Sequence, residues 1–390
     1  MSGDAGLSDT KRACRALWLS QQINISIALY RYSGGDNDMP LMTFDAAIAD
    51  SAGFSKRHLL LGNGFSIACR ADIFHYGSLF AQADFSGCPE AEKVFALLGT
   101  QDFEAAIRAL ENAALILPAY VADGAEAIAK MQAHASALKE ILIQTIAGNH
   151  PAVPPEIDEA KFWACRAFLS HFLGSGGQVF TLNYDLLLYW TLMHDDNPSG
   201  APMELAKNDG FGNDEDAPDA EYVVWQGEVG AHDARIHFLH GALHLFDSGS
   251  ELKKYTWIRK GVPLVEQARA AIDANAYPLF VAEGTSGQKK AKIRHNAYLY
   301  QGFKQFTANV KTVKHCFFIF GHSLAENDDH ILIRMARGKF QKLYVGIYGD
   351  PASEDNQRIM NRANELAAQR HEKLPLDVAF YDAATAQVWG

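Results

Sequence analysis

The chain has 390 residues, 48% hydrophobic and 21% charged, enough for one large α/β domain or two smaller ones. A formal net charge of -11 argues against a general nucleic-acid surface, which needs a basic stripe, though backbone amides can still hold an anionic cofactor. Five scattered cysteines with no C-x-x-C pair fit reduced thiols in a cytoplasm better than a zinc ribbon or a disulfide framework, and no apolar run approaches a membrane span.

Residues 1–42 read as an N-terminal extension. Acid stands early and polar residues interrupt its apolar parts, so it makes a poor signal peptide, and it closes in the turn-rich SGGDNDMP. A loosely attached tail, a start codon assigned too early and a peripheral helix all fit. A single domain over 43–390 then opens with the helix-like TFDAAIADS. The run HLLLGNGFS (His58–Ser66) predicts a buried strand, a glycine turn and a helix. From about 86 to 175, EAEKVFALLG, DFEAAIRALENAALIL, AEAIAKMQAHASALKEILIQTIAG and DEAKFWACRAFLSHFLG space apolar residues by three and four. They predict an inserted helical subdomain, broken by the proline-rich loop HPAVPPEID.

A second strand, QVFTLNYD, leads into the helix LLLYWTLMH, with Asp185 placed as its N-cap. The Gly-, Pro- and Asp-rich stretch 197–219 reads as an irregular insertion that could lie over a cleft. YVVWQGE, RIHFLHG and YPLFVAEGTS read as strands, and the basic QKKAKIRHN precedes a helix. CFFIFGHSL, a helix through Met335, KLYVGIYGD, a helix over Asn356–Ala368 and LDVAFYD restore α/β order. The expected fold is therefore a doubly wound, mostly parallel, Rossmann-like sheet carrying the helical insertion.

Ligands of such sheets sit beyond the carboxyl ends of the strands, so Asn63, Asn183, Asp185, His240 and Ser323 are expected to meet in one cleft. GNGFS has the strand-to-helix context of a phosphate-binding turn, with Gly62 and Gly64 admitting a pyrophosphate; a plain tight turn fits equally. Asn183 can orient a water or a ribose hydroxyl and Asp185 can accept from one, although capping alone accounts for Asp185. His240, beside Gly241 where its strand ends, is the candidate base, against the commoner structural histidine. The spacing of His237, His240 and His244 matches neither one strand face nor H-E-x-x-H, so no metal is expected. Ser323 and Glu326 form a capping-box pattern, and a solvated first helical turn accounts for Asp328 and Asp329 near His322 and His330.

GNGFS, TLNYD, LHG and GHSL, in that order on successive α/β elements, resemble the NAD-binding core of the sirtuin-like superfamily, over most of the chain after residue 58. DFEAAIRAL, PLFVAEGTS and GHSLAENDDHI are similar to a bacterial branch described only as a domain of unknown function. The resemblance implies that Gly62, Gly64 and Ser66, with Asn63 in the same turn, cradle NAD phosphates. It places Asn183 and Asp185 at the nicotinamide and its ribose, His240 as the base, and Gly321 and Ser323 at the ribose side. The two C-x-x-C zinc pairs and the G-I-P-D-F-R-like run of sirtuin deacylases are absent. What remains resembles the zinc-less NAD glycohydrolases of bacterial antiphage defence.

The implied reaction is hydrolysis of NAD to ADP-ribose and nicotinamide, with cyclisation where a substrate base replaces water. The alternatives are a non-catalytic module for NAD or an ADP-ribose-type nucleotide, and an NAD-dependent deacylase or ADP-ribosyltransferase. With no sensor domain expected after YDAATAQVWG, the trigger of a defence enzyme is expected from self-assembly, a ligand or a separately encoded activator.

Overall fold

The computed structural model describes residues 41–194, 204–248, 251–256, 261–273, 276–282 and 284–390. Ten strands follow in chain order: β1 (Lys56–Leu61), β2 (Val179–Thr181), β3 (Phe211–Gly212), β4 (Tyr222–Trp225) and β5 (Ile236–Phe238), then β6 (Leu245–Asp247), β7 (Leu252–Tyr255), β8 (His315–Phe320), β9 (Lys342–Ile347) and β10 (Asp377–Asp382). Six of them form one parallel sheet in the order β10-β9-β8-β1-β2-β5. From β1 the chain builds outward through β2 to β5, then returns to the centre at β8 and builds the other way. This is the doubly wound Rossmann-like order, and its switch point lies between β1 and β8.

The central strands are apolar because both faces are covered. Leu59, Leu60 and Leu61 of β1 and Phe317 and Phe318 of β8 are fully buried. His58 and His315 face each other at the opposite end of these strands, with Nε2 of His58 3.0 Å from Nδ1 of His315. The Gln178 amide donates to Nδ1 of His58, so Nε2 of His58 carries the proton toward His315. Both histidines are satisfied structural groups.

Helices fill the chain between β1 and β2, among them Pro89–Leu98, Phe103–Ile116, Ala125–Asn149 and Glu159–Leu173, as the spacing predicts. Phe103–Ile116 shows why they form. Asp102 accepts from the amides of Glu104 and Ala105 at its start, and Phe103, Ala106, Ile107, Leu110 and Ala114 make one buried stripe. Burying Phe103 alone contributes about 2–3 kcal/mol.

Strands β3, β4, β7 and β6 make a separate antiparallel sheet between β2 and the later helices. Part of the expected irregular insertion thus enters a sheet as β3, while residues 197–203 lie outside the described residues, as does the extension up to residue 40. YPLFVAEGTS forms no strand: among its described residues Phe280 makes one antiparallel bridge, to Gly241. Its neighbours hydrogen-bond instead across the turn after β5, where the amide of Val281 donates to the carbonyl of His240. No helix among the described residues is long and apolar enough to cross a membrane.

Candidate functional site

Register decides what gathers at the carboxyl edge of the large sheet. Leu61 of β1 pairs with Phe320 of β8 and Thr181 of β2, and Thr181 pairs with Phe238 of β5. Two residues beyond these matched positions stand His322, Asn63, Asn183 and His240. They leave four neighbouring strands at one level, a row spanning roughly 14 Å at the usual strand spacing. Three of the residues expected to share a cleft are in this row; Asp185 and Ser323 lie farther along their turns.

At the switch point the two glycine turns pack against each other. The Gly62 amide donates to the Phe320 carbonyl at 3.0 Å and the Gly64 amide to the Gly321 carbonyl at 2.8 Å. A Cβ on Gly64 would lie 2.5 Å from the Gly321 Cα, and Gly321 has φ +68°, so close approach explains the glycines at both positions. Those two amides are committed to protein carbonyls. The Asn63 side chain donates to the Phe74 carbonyl at 3.1 Å and ties the turn to the next helix.

Beside this turn, Asn183 Nδ2 donates to the Gly62 carbonyl at 3.1 Å and to Ser66 Oγ at 2.9 Å. Ser66 Oγ donates to Asp185 Oδ2 at 2.5 Å, and Asp185 Oδ1 accepts from the Leu187 amide at 2.9 Å. Asp185 therefore holds the first amide of the helix Leu187–Met193 and anchors Ser66, although Leu186, and not Asp185 as expected, occupies the N-cap. Burial raises its pKa, with the bonds from Ser66 and Leu187 opposing. Three motifs distant in sequence are joined in one hydrogen-bonded group.

The two outer positions of the row, His322 after β8 and His240 after β5, belong to one ionic cluster. Lys289, on the helix Ser286–His295, is fully buried, with Nζ 2.7 Å from Glu104 Oε2 and 2.9 Å from Asp328 Oδ1. The Tyr184 hydroxyl donates its one proton to the Val281 carbonyl at 2.7 Å and lies 3.2 Å from Glu104 Oε1, and its ring stacks on that of His240 with centroids 6.4 Å apart. The Leu324 amide donates to Nδ1 of His322, which leaves Nε2–H of His322 to donate to Asp328 Oδ2 at 3.0 Å. His240 Nε2 lies 3.0 Å from His330 Nε2 and 3.8 Å from Asp328 Oδ1.

Burial opposes ionisation throughout this cluster, and its charges survive by pairing. Burial lowers the pKa of Lys289, but Glu104 and Asp328 together outweigh it and hold the ammonium protonated. Burial raises the pKa of Asp328, yet Lys289 and His322 bring it well below the carboxylate range. Burial, then the nearby Lys289, push His240 well below its ordinary value, and burial brings His330 to about 4. Both imidazoles are neutral near pH 7 and can accept a proton or ligate a metal.

Two expectations are corrected here. Asp328 is not on a solvated first turn: its carboxylate turns inward to Lys289 and His322, while Asp329 pairs with Arg362 at 2.6 Å. Ser323 and Glu326 form no capping box, because Ser323 is exposed and the helix begins only at Asp329, after a 3-10 turn over Glu326–Asp328. Sequence reasoning missed Glu104, Tyr184, Lys289 and Asp328. The one available signal was the group His322, Asp328, Asp329 and His330, whose two acids read more simply as a solvated first turn. The other histidines near His240 are core groups: His237 stacks on Phe180, and His244 packs against Tyr189 and Phe238.

Away from the row, a cavity of about 910 Å³ opens between the helix Leu187–Met193 and the antiparallel sheet, lined by Phe162, Tyr189, Trp190, Phe211 and Lys254. Lys254 is paired with Asp209 at 2.6 Å, so this cavity offers mainly aromatic surface.

No curated protein matches this sequence. A family model matches residues 59–389, from β1 to the penultimate residue, and covers every residue of the row and of the ionic cluster. The chain belongs to the family described as a domain of unknown function, DUF4917.

Proposed function

We propose that this protein hydrolyses NAD to ADP-ribose and nicotinamide, in a bacterial cytoplasm and in the antiphage role that the sirtuin-like motifs suggest. The observation that supports it best is that Asn183 and His240 leave adjacent parallel strands at one level, two residues past the Thr181–Phe238 pair, with the Tyr184 ring against His240. Oxidised NAD carries its own leaving group: the pyridinium departs as neutral nicotinamide, and no general acid is needed. Asn183 steadies the ribose or the attacking water. His240, neutral because it is buried, takes the proton that water loses, and Asp328, with Oδ1 3.8 Å from His240 Nε2, stabilises the protonated ring. The products are nicotinamide, ADP-ribose and one proton.

The test is to incubate the purified full-length chain with NAD and follow nicotinamide by chromatography. We expect release that falls at least about 100-fold in Asn183→Ala and in His240→Ala, the scale of a lost general base. Unchanged turnover in both variants, or no release by the wild type as a monomer, as an oligomer or with an activator, would sink the reading.

A second reading, a nucleotide-binding module without turnover, is favoured by one observation. His240 is 2% exposed, and its Nε2 already faces His330. Tight NAD binding without product, insensitive to His240→Ala, would decide for it.

A further inference from the structure

His240, His330 and Asp328 come from a strand end, a helix and the turn before that helix, yet one ligand atom from each lies within 4.8 Å of the others. Two imidazole nitrogens 3.0 Å apart can share one proton, as His58 and His315 do, but here Asp328 Oδ1 stands 3.8 Å from His240 Nε2 as a third ligand atom. The spacing suits a shared cation. At zinc–nitrogen distances two ligating nitrogens stand about 2.9 Å apart at a right angle and about 3.3 Å apart at the tetrahedral angle. We propose that these three residues form a binding site for a divalent transition-metal ion, with two imidazole nitrogens and one carboxylate oxygen as ligands.

The surroundings match what such a site requires. A ligating carboxylate is normally held by further hydrogen bonds, and Asp328 has Lys289 on Oδ1 and His322 on Oδ2. A carboxylate oxygen has two lone pairs, so Oδ1 can accept from Lys289 and still ligate after the three groups close in by about 1 Å. Glu104 Oε2, 2.7 Å from Lys289, keeps the ammonium neutralised when Asp328 turns its charge to the ion. Two nitrogens and one oxygen select a borderline ion such as Zn²⁺ or Fe²⁺ over Ca²⁺ or Mg²⁺, and three protein ligands leave a position for water.

The inference goes beyond the NAD reading and stands without it, because the ion is measured with no nucleotide present. Metal-free full-length protein, dialysed against a chelator, is titrated with Zn²⁺ by calorimetry, and the loaded protein is examined by X-ray absorption. We expect about one equivalent bound, two imidazoles and light oxygen ligands in the absorption spectrum, and affinity weakened at least about 10-fold in His330→Ala and in Asp328→Asn. His371→Ala, on the surface, should bind as the wild type does. Far-UV circular dichroism checks that the variants fold. Should either fail to fold, the wild-type absorption spectrum decides alone. No binding by the wild type, a shell without imidazole, or unchanged affinity in both folded variants would overturn the proposal. NAD hydrolysis is then assayed on the metal-free chain. Full activity would leave His240 as the base, whereas activity only with Zn²⁺ would make it a ligand.

Discussion

The middle of the row at the sheet edge and its two outer positions are built by different physics. At β1 and β2, Asn63, Ser66, Asn183 and Asp185 are joined mainly by hydrogen bonds to each other and to main-chain groups, between turns set directly by the register of neighbouring strands. At β5 and β8, His240, His322 and Asp328 depend on Glu104 and Lys289, delivered by two helices outside the sheet. The first group needs only a correct sheet. The second needs the inserted helix Phe103–Ile116 and the later helix Ser286–His295 docked as well, because a buried ammonium without its carboxylates is not tolerated. The candidate base thus rests on the more expensive and more remote support.

Removing Lys289 strains this contrast most. Lys289→Met leaves the buried Glu104 and Asp328 facing each other uncompensated and should cost about 3–5 kcal/mol in urea denaturation. Combining it with Glu104→Gln and Asp328→Asn should recover much of that loss; a single substitution costing under about 1 kcal/mol would mean that the cluster is solvated.

In the hydrogen-bonded middle, Gly64→Ala should cost about 1–3 kcal/mol, because its Cβ would meet the Gly321 Cα at 2.5 Å and main chain cannot swing aside. Equal stability of this variant would mean that the two turns are not closed on each other in solution.

The smallest effect concerns Asp185. Its folded pKa is raised, so its contribution to stability is full below the unfolded value and is lost as pH rises through the folded value. Asp185→Asn does not titrate, and the Ser66 hydroxyl can turn to suit the amide. The variant should stay within about 1 kcal/mol of wild type at pH 7, and the difference should shift in its favour from pH 4 to pH 7. A shift the other way would mean that the fold stabilises the carboxylate.

The same contrast explains what the sequence made legible. Strand ends follow apolar runs, so Gly62, Asn183 and His240 announce themselves by where HLLL, VFTL and HFL stop. A bond from Asp185 to the start of the next helix was equally readable, because it is local, though the N-cap falls one residue later, at Leu186. Glu104 reads as an ordinary first-turn acid of an amphipathic helix, and Lys289 as one of several cations in QKKAKIRHN. Nothing in their spacing reveals that they point at each other across 185 residues. YPLFVAEGTS misled for a related reason: its apolar content reflects burial against the turn after β5 rather than a place in a ladder.

The central claim, that Asn183 and His240 face one nucleotide, is tested most directly by binding rather than turnover. A carbocyclic NAD analogue that cannot lose nicotinamide should bind the full-length chain with a calorimetrically measurable affinity. That affinity should weaken at least about 10-fold in Asn183→Ala, on the scale of one lost hydrogen bond to a partly charged ligand. Affinity unchanged by Asn183→Ala and by His240→Ala, or no binding at millimolar analogue, would contradict the account.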